Sequence, residues 1–221
     1  MKPLFNTLAH KLLAAAGLSA VRLHQTYEAD RGATMRRRNV DLVIDVGANV
    51  GQYASRLRRE GYAGEILSIE PLPGAFKSLE QTMGGDRHWS GINAAAGPKA
   101  ERATFNISAD SVCSSLLKPT STLLHAIPSA RVVETVQVDV VRLDDLSLPP
   151  HKNLMLKLDV QGFEKEALSG AYGILQAVDV LELELGVKPG YESGYTLDRA
   201  LPELTALGFA MTSIEIGRAH V

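Results

Sequence analysis

The chain of 221 residues lacks several features that would define its class at once. Its single cysteine, Cys113, excludes an intramolecular disulfide framework. Its six histidines are scattered, without a Cys/His quartet or a His-Glu-x-x-His pair, so we expect no metal site. It also has no excess of basic residues: 23 basic and 25 acidic side chains give a formal charge of −2. Nothing in this balance favours nucleic acid or an anionic membrane as a partner.

Long apolar runs are also absent, and none approaches the roughly 18 residues of a membrane-spanning helix. Apolar residues recur at helical spacing over residues 4–23, which predicts an amphipathic helix within an N-terminal extension over residues 1–40. Such a helix either packs against the domain, which we favour, or closes over the site as a lid. Asn6, His10 and Lys11 interrupt it, so it does not match a secretory signal. We therefore expect a cytoplasmic protein without an integral membrane segment.

From residue 41 onward, strand and helix patterns alternate, which predicts a doubly wound α/β fold with a mostly parallel sheet. The predicted strands cover residues 41–46, 65–69, 89–95, 153–158 and 178–185, and the predicted helices cover residues 52–60, 75–83, 164–176 and 197–207. Residues 103–146 break this rhythm with a stretch rich in Ser, Thr and Pro. We interpret them as an insertion, within a domain spanning residues 41–214, that folds over the site.

The most informative turn is DVGANVG at residues 45–51, between the first strand and its helix. In an open parallel sheet, ligands bind outside the carboxyl ends of the strands, where glycines let the backbone approach the ligand. Gly47 and Gly51 suit that role. Asn49 tolerates a left-handed conformation and takes the place of the middle glycine of a nucleotide fingerprint.

An acid follows at the end of the second strand, in Ile69-Glu70-Pro71. Its position places the Glu70 carboxylate where it accepts hydrogen bonds from a ribose diol. A dinucleotide would require Gly-x-Gly-x-x-Gly for its pyrophosphate, whereas this turn has Gly-x-x-x-Gly with Asp45 beside it. S-Adenosylmethionine carries no phosphate but an ammonium and a sulfonium, so the residues favour this methyl donor over NAD.

Five stretches resemble, in order, the blocks of the FkbM family of S-adenosylmethionine-dependent methyltransferases. They are DVGANVGQY at 45–53, IEPLPGAFKSLE at 69–80, INAAAG at 92–97, VCSSLL at 112–117 and LKLDVQGFEKEALSGA at 156–171. The resemblance covers about residues 41–207. It implies a class I, Rossmann-like methyltransferase fold and O-methyl transfer to a hydroxyl of a sugar, glycolipid or secondary metabolite.

The resemblance also implies a set of cofactor contacts. The methionine part is contacted by Asp45, Gly47, Ala48, Asn49 and Gly51. The ribose is contacted by Glu70 and Pro71, and the adenine edge by Asn93 and Ala94.

The candidate catalytic residues follow the fourth predicted strand. Lys157, Asp159 and Gln161 alternate along one side of the chain, and Glu164 begins the next helix. Methyl transfer requires that the acceptor hydroxyl be aligned and its proton removed or shared, and Asp159 is our candidate base. A carboxylate with an ordinary pKa near 3.9 is a weak base, so we expect positioning to supply most of the acceleration. Alternatively, Asp159 and Glu164 cap the helix or pair with Lys157.

Further polar residues are candidate substrate contacts. Gln161 lies beside Asp159, and Ser114 and Ser115 lie in the insertion. Glu184 alternates with leucines in a strand that should be buried on both faces, so it either reaches the substrate or is satisfied by a neighbouring loop. We expect Cys113 to be structural.

The C-terminus departs from the expected architecture. Methyltransferases of this type end with two further strands, and the chain stops within the first, which predicts a truncated sheet edge. Residues 215–221 back-translate to the start of a common sequencing adapter, so we expect a non-native tail. A non-catalytic nucleoside-binding module and, less favoured, an NAD-dependent oxidoreductase remain alternatives, and the sequence does not define the oligomeric state.

Overall fold

The computed structural model describes residues 27–215. The helix predicted over residues 4–23 and the end of the expected tail lie outside this range. The described helices are α1 (Tyr27–Arg37), α2 (Gln52–Arg59), α3 (Pro73–Met83), α4 (Ser121–Ala126), α5 (Glu164–Ser169), α6 (Tyr172–Leu175) and α7 (Leu197–Ala206). The strands are β1 (Leu42–Val46), β2 (Glu65–Ile69), β3 (Trp89–Ile92), β4 (Ala95–Ala96), β5 (Glu101–Ser108), β6 (Val132–Val141), β7 (Leu154–Leu158) and β8 (Val178–Leu183).

The main sheet has five strands in the order β3-β2-β1-β7-β8, and every pair is parallel. The order reverses direction between β1 and β7, which creates the crevice where open α/β sheets bind ligands. Helices cover both faces, so the predicted doubly wound fold is confirmed. Within residues 27–215, no helix is long and apolar enough to cross a membrane.

Burial on both faces explains the apolar strands. Side chains alternate between the faces, so Leu42 and Ile44 pack against α5, α6 and α7, whereas Val43 packs against α1, α2 and α3. The sequence DLVIDV thus has no polar face to present to water, as expected for a central parallel strand.

Two predicted elements are wrong in their extent. The third strand ends at Ile92, and Ala95–Ala96 instead pairs with β6 in a second sheet. The helix predicted over residues 164–176 breaks at Gly170, whose carbonyl accepts a hydrogen bond from the Asp144 amide. The Asp144 carboxylate then accepts hydrogen bonds from the amides of Gly173 and Ile174 and so caps a separate helix, α6.

The segment predicted as an insertion, residues 103–146, holds β6 and most of β5, which are antiparallel. They belong to a second sheet ordered β4-β6-β5, whose strand β4 precedes the segment. Residues 109–131 connect these two strands. The arginine run at 36–38 begins in the last turn of α1 and precedes β1, and all three residues are exposed.

Candidate active site

The turn after β1 is held close to β2 and β7. The amides of Gly47 and Ala48 donate to the Ile69 carbonyl at 2.9 and 3.1 Å. Gly47 has φ 76°, and a β-carbon there would overlap the carbonyl oxygen of Asp159. Asn49 has φ 49°, which confirms the predicted left-handed conformation. Only glycine allows the β1 turn to approach the end of β7 this closely.

Glu70 ties this turn to the connection after β2. Its Oε2 accepts a hydrogen bond from the Asn49 amide at 2.9 Å, and its Oε1 accepts one from the Leu72 amide at 2.9 Å. Burial raises the pKa of the Glu70 carboxyl, although these two hydrogen bonds oppose the shift. Because a carboxylate offers about four acceptor positions, both oxygens can accept a further donor from the cavity beside them.

The other predicted cofactor contacts divide into two groups. Ala48, Pro71 and Ala94 line the same cavity as Glu70. Asn93 is exposed, and its side-chain amide donates to the carbonyls of Glu70 and Pro71. Gly51 directly precedes α2, has φ 92° and faces Leu79. These last two therefore shape the walls instead of lining the cavity.

A buried charged pair lies beneath the turn. Asp45 is fully buried, and its Oδ1 is 3.0 Å from Nζ of Lys157, which also donates to the Gly47 carbonyl at 3.2 Å. Lys157 is the cation paired with this buried carboxylate. Burial alone would lower the pKa of Lys157, but the carboxylates of Asp45 and Asp159 raise it above its ordinary value. Lys157 is therefore a fixed cation.

Asp159 lies at the end of β7 and faces the cavity. Its Oδ2 is 3.6 Å from the Lys157 ammonium, and its Oδ1 accepts a hydrogen bond from Gln161 at 2.8 Å. Burial by itself raises the pKa of Asp159, but Lys157 and hydrogen bonds from Glu184 and Gln161 outweigh it and lower the pKa. Asp159 is ionised near neutral pH.

Glu184 is the partner of Asp159 across β7 and β8. Burial of its carboxyl group and the neighbouring Asp159 charge raise its pKa to about 8. The two carboxyl groups therefore share one proton near neutral pH, with Asp159 the ionised member. A second ionised carboxylate beside Asp159 is unfavourable, and for this reason Glu184 keeps the shared proton.

Glu164 is fully buried at the start of α5, outside the cavity lining. Its Oε1 accepts hydrogen bonds from the amides of Val160 and Gly162 at 3.1 and 3.2 Å, while Oε2 has no partner among the described residues. Burial raises its pKa to about 7. Glu164 therefore shapes the turn after Asp159.

The two predicted serines lie in the connection between β5 and β6, but only one lines the cavity. Ser114 does so, and its Oγ accepts the Ser108 amide at 3.1 Å. Ser115 is buried, and its Oγ donates to the Gln161 carbonyl at 2.8 Å. Ser115 thus fastens this segment to the turn after β7.

Sequence reasoning missed three side chains around these groups. Tyr53 donates to Glu182 at 2.9 Å, and its ring lies 5.2 Å from the Lys157 ammonium. The Tyr191 hydroxyl lies 2.9 Å from an oxygen of Gln161. Glu182 pairs in register with Lys157, a signal that alignment of the two strands could have supplied, whereas nothing local indicates Tyr191.

The cavity that joins these groups has a volume of about 1370 Å³ and continues along the edge of β8. Glu70 and the glycine turn line it, as do Asp159, Gln161 and Glu184. Among residues 27–215, no group of three His, Cys, Asp or Glu side chains is arranged to hold a metal ion.

The strand order, the glycine turn after β1 and the acid after β2 together define a fold of the class I methyltransferase type. A family model described as the methyltransferase FkbM domain matches residues 45–211. The chain therefore belongs to the FkbM methyltransferase family.

Individual relatives are distant. "Methyltransferase 1" of Beauveria bassiana (strain ARSEF 2860) is 26% identical over 144 residues, which are 58% of this chain and 57% of that protein. The chain thus matches little more than half of that relative's length. A precorrin-6y C5,15-methyltransferase from Geobacter metallireducens GS-15 aligns with a TM-score of 0.39 and 13% identity, over 86% of this chain and 73% of its own. The methyltransferase domain of a bacterial CtHen1-CN aligns with a TM-score of 0.39 and 10% identity, over 83% of each chain.

Proposed function

We propose that the protein is an S-adenosylmethionine-dependent O-methyltransferase that acts on a hydroxyl of a small molecule, such as a sugar, a glycolipid or a secondary metabolite. One observation carries the proposal: Glu70 and the shared-proton pair Asp159 and Glu184 line a single cavity. A carboxylate that can bind the ribose of a nucleoside and a carboxylate that can accept a proton are therefore accessible from the same space, in a chain of the FkbM methyltransferase family.

The residues of the turn fit this cofactor better than a dinucleotide. The close approach at Gly47 leaves backbone, not side chain, beneath the cavity, and Glu70 keeps acceptor capacity for a ribose diol. The turn at residues 45–51 has no basic side chain for a pyrophosphate. Lys157, the cation beneath the turn, is already paired with the buried Asp45 carboxylate, so it is not free to bind a pyrophosphate. When bound, S-adenosylmethionine supplies an electrophilic methyl group on its sulfonium.

Asp159 then holds the acceptor hydroxyl and takes its proton. Its lowered pKa makes it a weak base, so the contribution we assign to it is mainly orientation of the hydroxyl oxygen, with proton removal as that oxygen becomes acidic during transfer. Glu184, protonated at neutral pH, donates a hydrogen bond to Asp159 and so holds that carboxylate in place. Gln161 and Ser114 complete the proposed acceptor surface.

Lys157, Asp45 and Glu164 have supporting roles in this proposal. Lys157 holds Asp159 ionised and fixes the carbonyl of Gly47, and Asp45 balances its charge. Glu164 orients the turn after Asp159 through the amides of Val160 and Gly162.

The cofactor assignment is tested by calorimetric titration of S-adenosylhomocysteine into the protein. Glu70→Gln keeps the volume of the side chain but removes its charge, and loss of a charge-assisted hydrogen bond of about 1.5–3 kcal/mol weakens binding roughly 10- to 150-fold. Glu65→Gln at the opposite end of β2 is the matched control and leaves the affinity unchanged. A folded protein that binds NAD but not S-adenosylhomocysteine would contradict the proposal.

The transfer itself is tested with the same protein and a panel of hydroxylated acceptors, by measuring release of S-adenosylhomocysteine. Asp159→Asn abolishes most of the turnover while retaining the cofactor affinity. Cofactor binding without turnover on any acceptor would instead support a non-catalytic binding module.

A further inference from the structure

The turn after β7 has an unusual backbone at two consecutive residues. Gln161 has φ 55° and Gly162 has φ 95°. Left-handed geometry at a residue other than glycine costs free energy and persists only where its surroundings fix it. Tyr191 packs closely on this turn, since a β-carbon at Gly162 would lie 2.9 Å from Cβ of Tyr191.

The Gln161 side chain connects the turn to a distant loop. Its Nε2 donates to Oδ1 of Asp159 at 2.8 Å, and its Oε1 lies 2.9 Å from the Tyr191 hydroxyl. The same hydroxyl lies 2.9 Å from the carbonyl oxygen of Cys113, so it meets two acceptors with one proton.

The ionisation of Asp159 fixes the direction of this chain of hydrogen bonds. An ionised carboxylate only accepts hydrogen bonds, so the amide nitrogen of Gln161 must face it. The amide oxygen of Gln161 then faces the Tyr191 hydroxyl. Of these two groups, only the hydroxyl can donate a hydrogen bond. Asp159 therefore selects the orientation of the Gln161 amide, and Tyr191 holds the amide oxygen that faces it.

The same turn is also fastened to residues 111–117, which we call the flap. Ser115 Oγ donates to the Gln161 carbonyl at 2.8 Å and accepts the Leu117 amide at 3.0 Å. Tyr191 reaches the flap through Cys113. The flap, the Tyr191 loop and the turn that carries Asp159 thus share one set of hydrogen bonds.

We propose that Gln161 and Tyr191 are positioning residues, with Tyr191 acting through Gln161 to fix the orientation of the Asp159 carboxylate and to fasten it to the flap. This inference rests on the proposed function only in giving Asp159 its task. Neither residue needs to touch the reacting atoms. The other charged or titratable groups that face Asp159 are Lys157, Asp45, Glu184 and Glu164, and the test leaves all of them in place.

The test measures the pKa of Asp159 directly, by ¹³C NMR of side-chain carboxyl groups in the protein without ligand. Asp159→Asn identifies the signal. The variants are Tyr191→Phe, Gln161→Asn and the double variant, since asparagine retains the tolerance for positive φ but is too short to bridge Asp159 and Tyr191. Tyr195→Phe is the matched control, because Tyr195 lies four residues further along the chain and its hydroxyl donates to Glu203.

We expect Gln161→Asn to raise the pKa of Asp159 by about 1, which corresponds to about 1.4 kcal/mol. Tyr191→Phe raises it by a smaller amount, and the double variant does not exceed Gln161→Asn. Tyr195→Phe changes nothing at Asp159. An unchanged pKa in folded Tyr191→Phe, or additive shifts in the double variant, would overturn the proposal.

Two features keep this result independent of other outcomes. Gln161→Asn leaves Tyr191 packed on Gly162, so a folding defect of Tyr191→Phe does not remove the test. No cofactor or acceptor is present, so failure of S-adenosylhomocysteine to bind would refute the proposed function and leave the NMR result standing.

Discussion

Gly47 gives the sharpest test of the site's architecture, because one added methyl group should disturb both the glycine turn and the end of β7. Alanine at Gly47 adopts φ 76° and places its β-carbon on the carbonyl oxygen of Asp159. The matched control is Gly61→Ala: Gly61 has φ 87°, and a β-carbon there meets nothing within 4 Å. Both substitutions force alanine into the left-handed conformation, but only Gly47→Ala also creates a steric clash.

The expected magnitudes follow from these two terms. The left-handed conformation costs an alanine about 1–2 kcal/mol, and both variants bear that cost. Displacing tightly packed structure costs about 1–3 kcal/mol more, and only Gly47→Ala bears that second cost. Gly47→Ala should therefore lower the free energy of unfolding by about 2–5 kcal/mol, against about 1–2 kcal/mol for Gly61→Ala.

Urea denaturation monitored by circular dichroism measures both values, with the slope of the transition as a check that the unfolded states are comparable. Calorimetry with S-adenosylhomocysteine provides a second readout, in which Gly47→Ala weakens binding and Gly61→Ala does not. A difference in stability below about 0.5 kcal/mol, the scatter of ordinary surface substitutions, would refute the close approach of the two strand ends.

Three further predictions concern charge and backbone. Lys157→Met leaves Asp45 buried without its cation and should lower the free energy of unfolding, measured in urea, by about 3–5 kcal/mol. The control Lys165→Met removes a cation from an exposed pair and should lower it by at most about 1 kcal/mol. Equal losses of stability would contradict the buried pairing. Because the folded-state pKa of Glu164 is raised to about 7, the folded state binds its proton more tightly than the unfolded state does, so this group's contribution to stability is lost as pH rises from 4.5 to 7. Glu164→Gln should remove a pH dependence on the order of 3 kcal/mol over that window, and an unchanged profile would refute the shift. Asn49→Gly should leave stability nearly unchanged while Asn49→Val lowers it by at least about 1 kcal/mol in thermal unfolding, since the residue has φ 49°; equal stabilities of the two variants would contradict that geometry.

The central sheet could be predicted because its strands are apolar on both faces and its turns carry their own signals. The predicted strand at residues 65–69 has the observed bounds of β2, and the other central strands differ by a few residues. Non-local pairing was the main obstacle. Ala95–Ala96 looks like a continuation of β3 until β6 is available to pair with it. Helix α1 also gave no apolar pattern, since it buries only Arg31 and Met35.

The site residues likewise differ in whether their contacts are local or non-local in sequence. Asp159 and Gln161 follow β7 in sequence, and their alternation was enough to place them on one side. That Glu70 would bind the turn amide at Asn49 follows from the neighbouring positions of β1 and β2. Tyr191, by contrast, reaches Gln161 from a loop whose course depends on the whole fold, so its sequence neighbours carry no information about the contact.

The charged row across the sheet explains why polar residues interrupt such apolar strands. Asp45, Lys157 and Glu182 are register partners on β1, β7 and β8, and their side chains share the face covered by α2. Buried charges are unfavourable unless paired, and a slip of β7 by one residue would turn Lys157 into the opposite apolar core. The row therefore specifies the register of three strands. One pleat further along the same face, that register places Asp159 and Glu184 together at the cavity wall, so the device that aligns the strands also assembles the carboxyl pair.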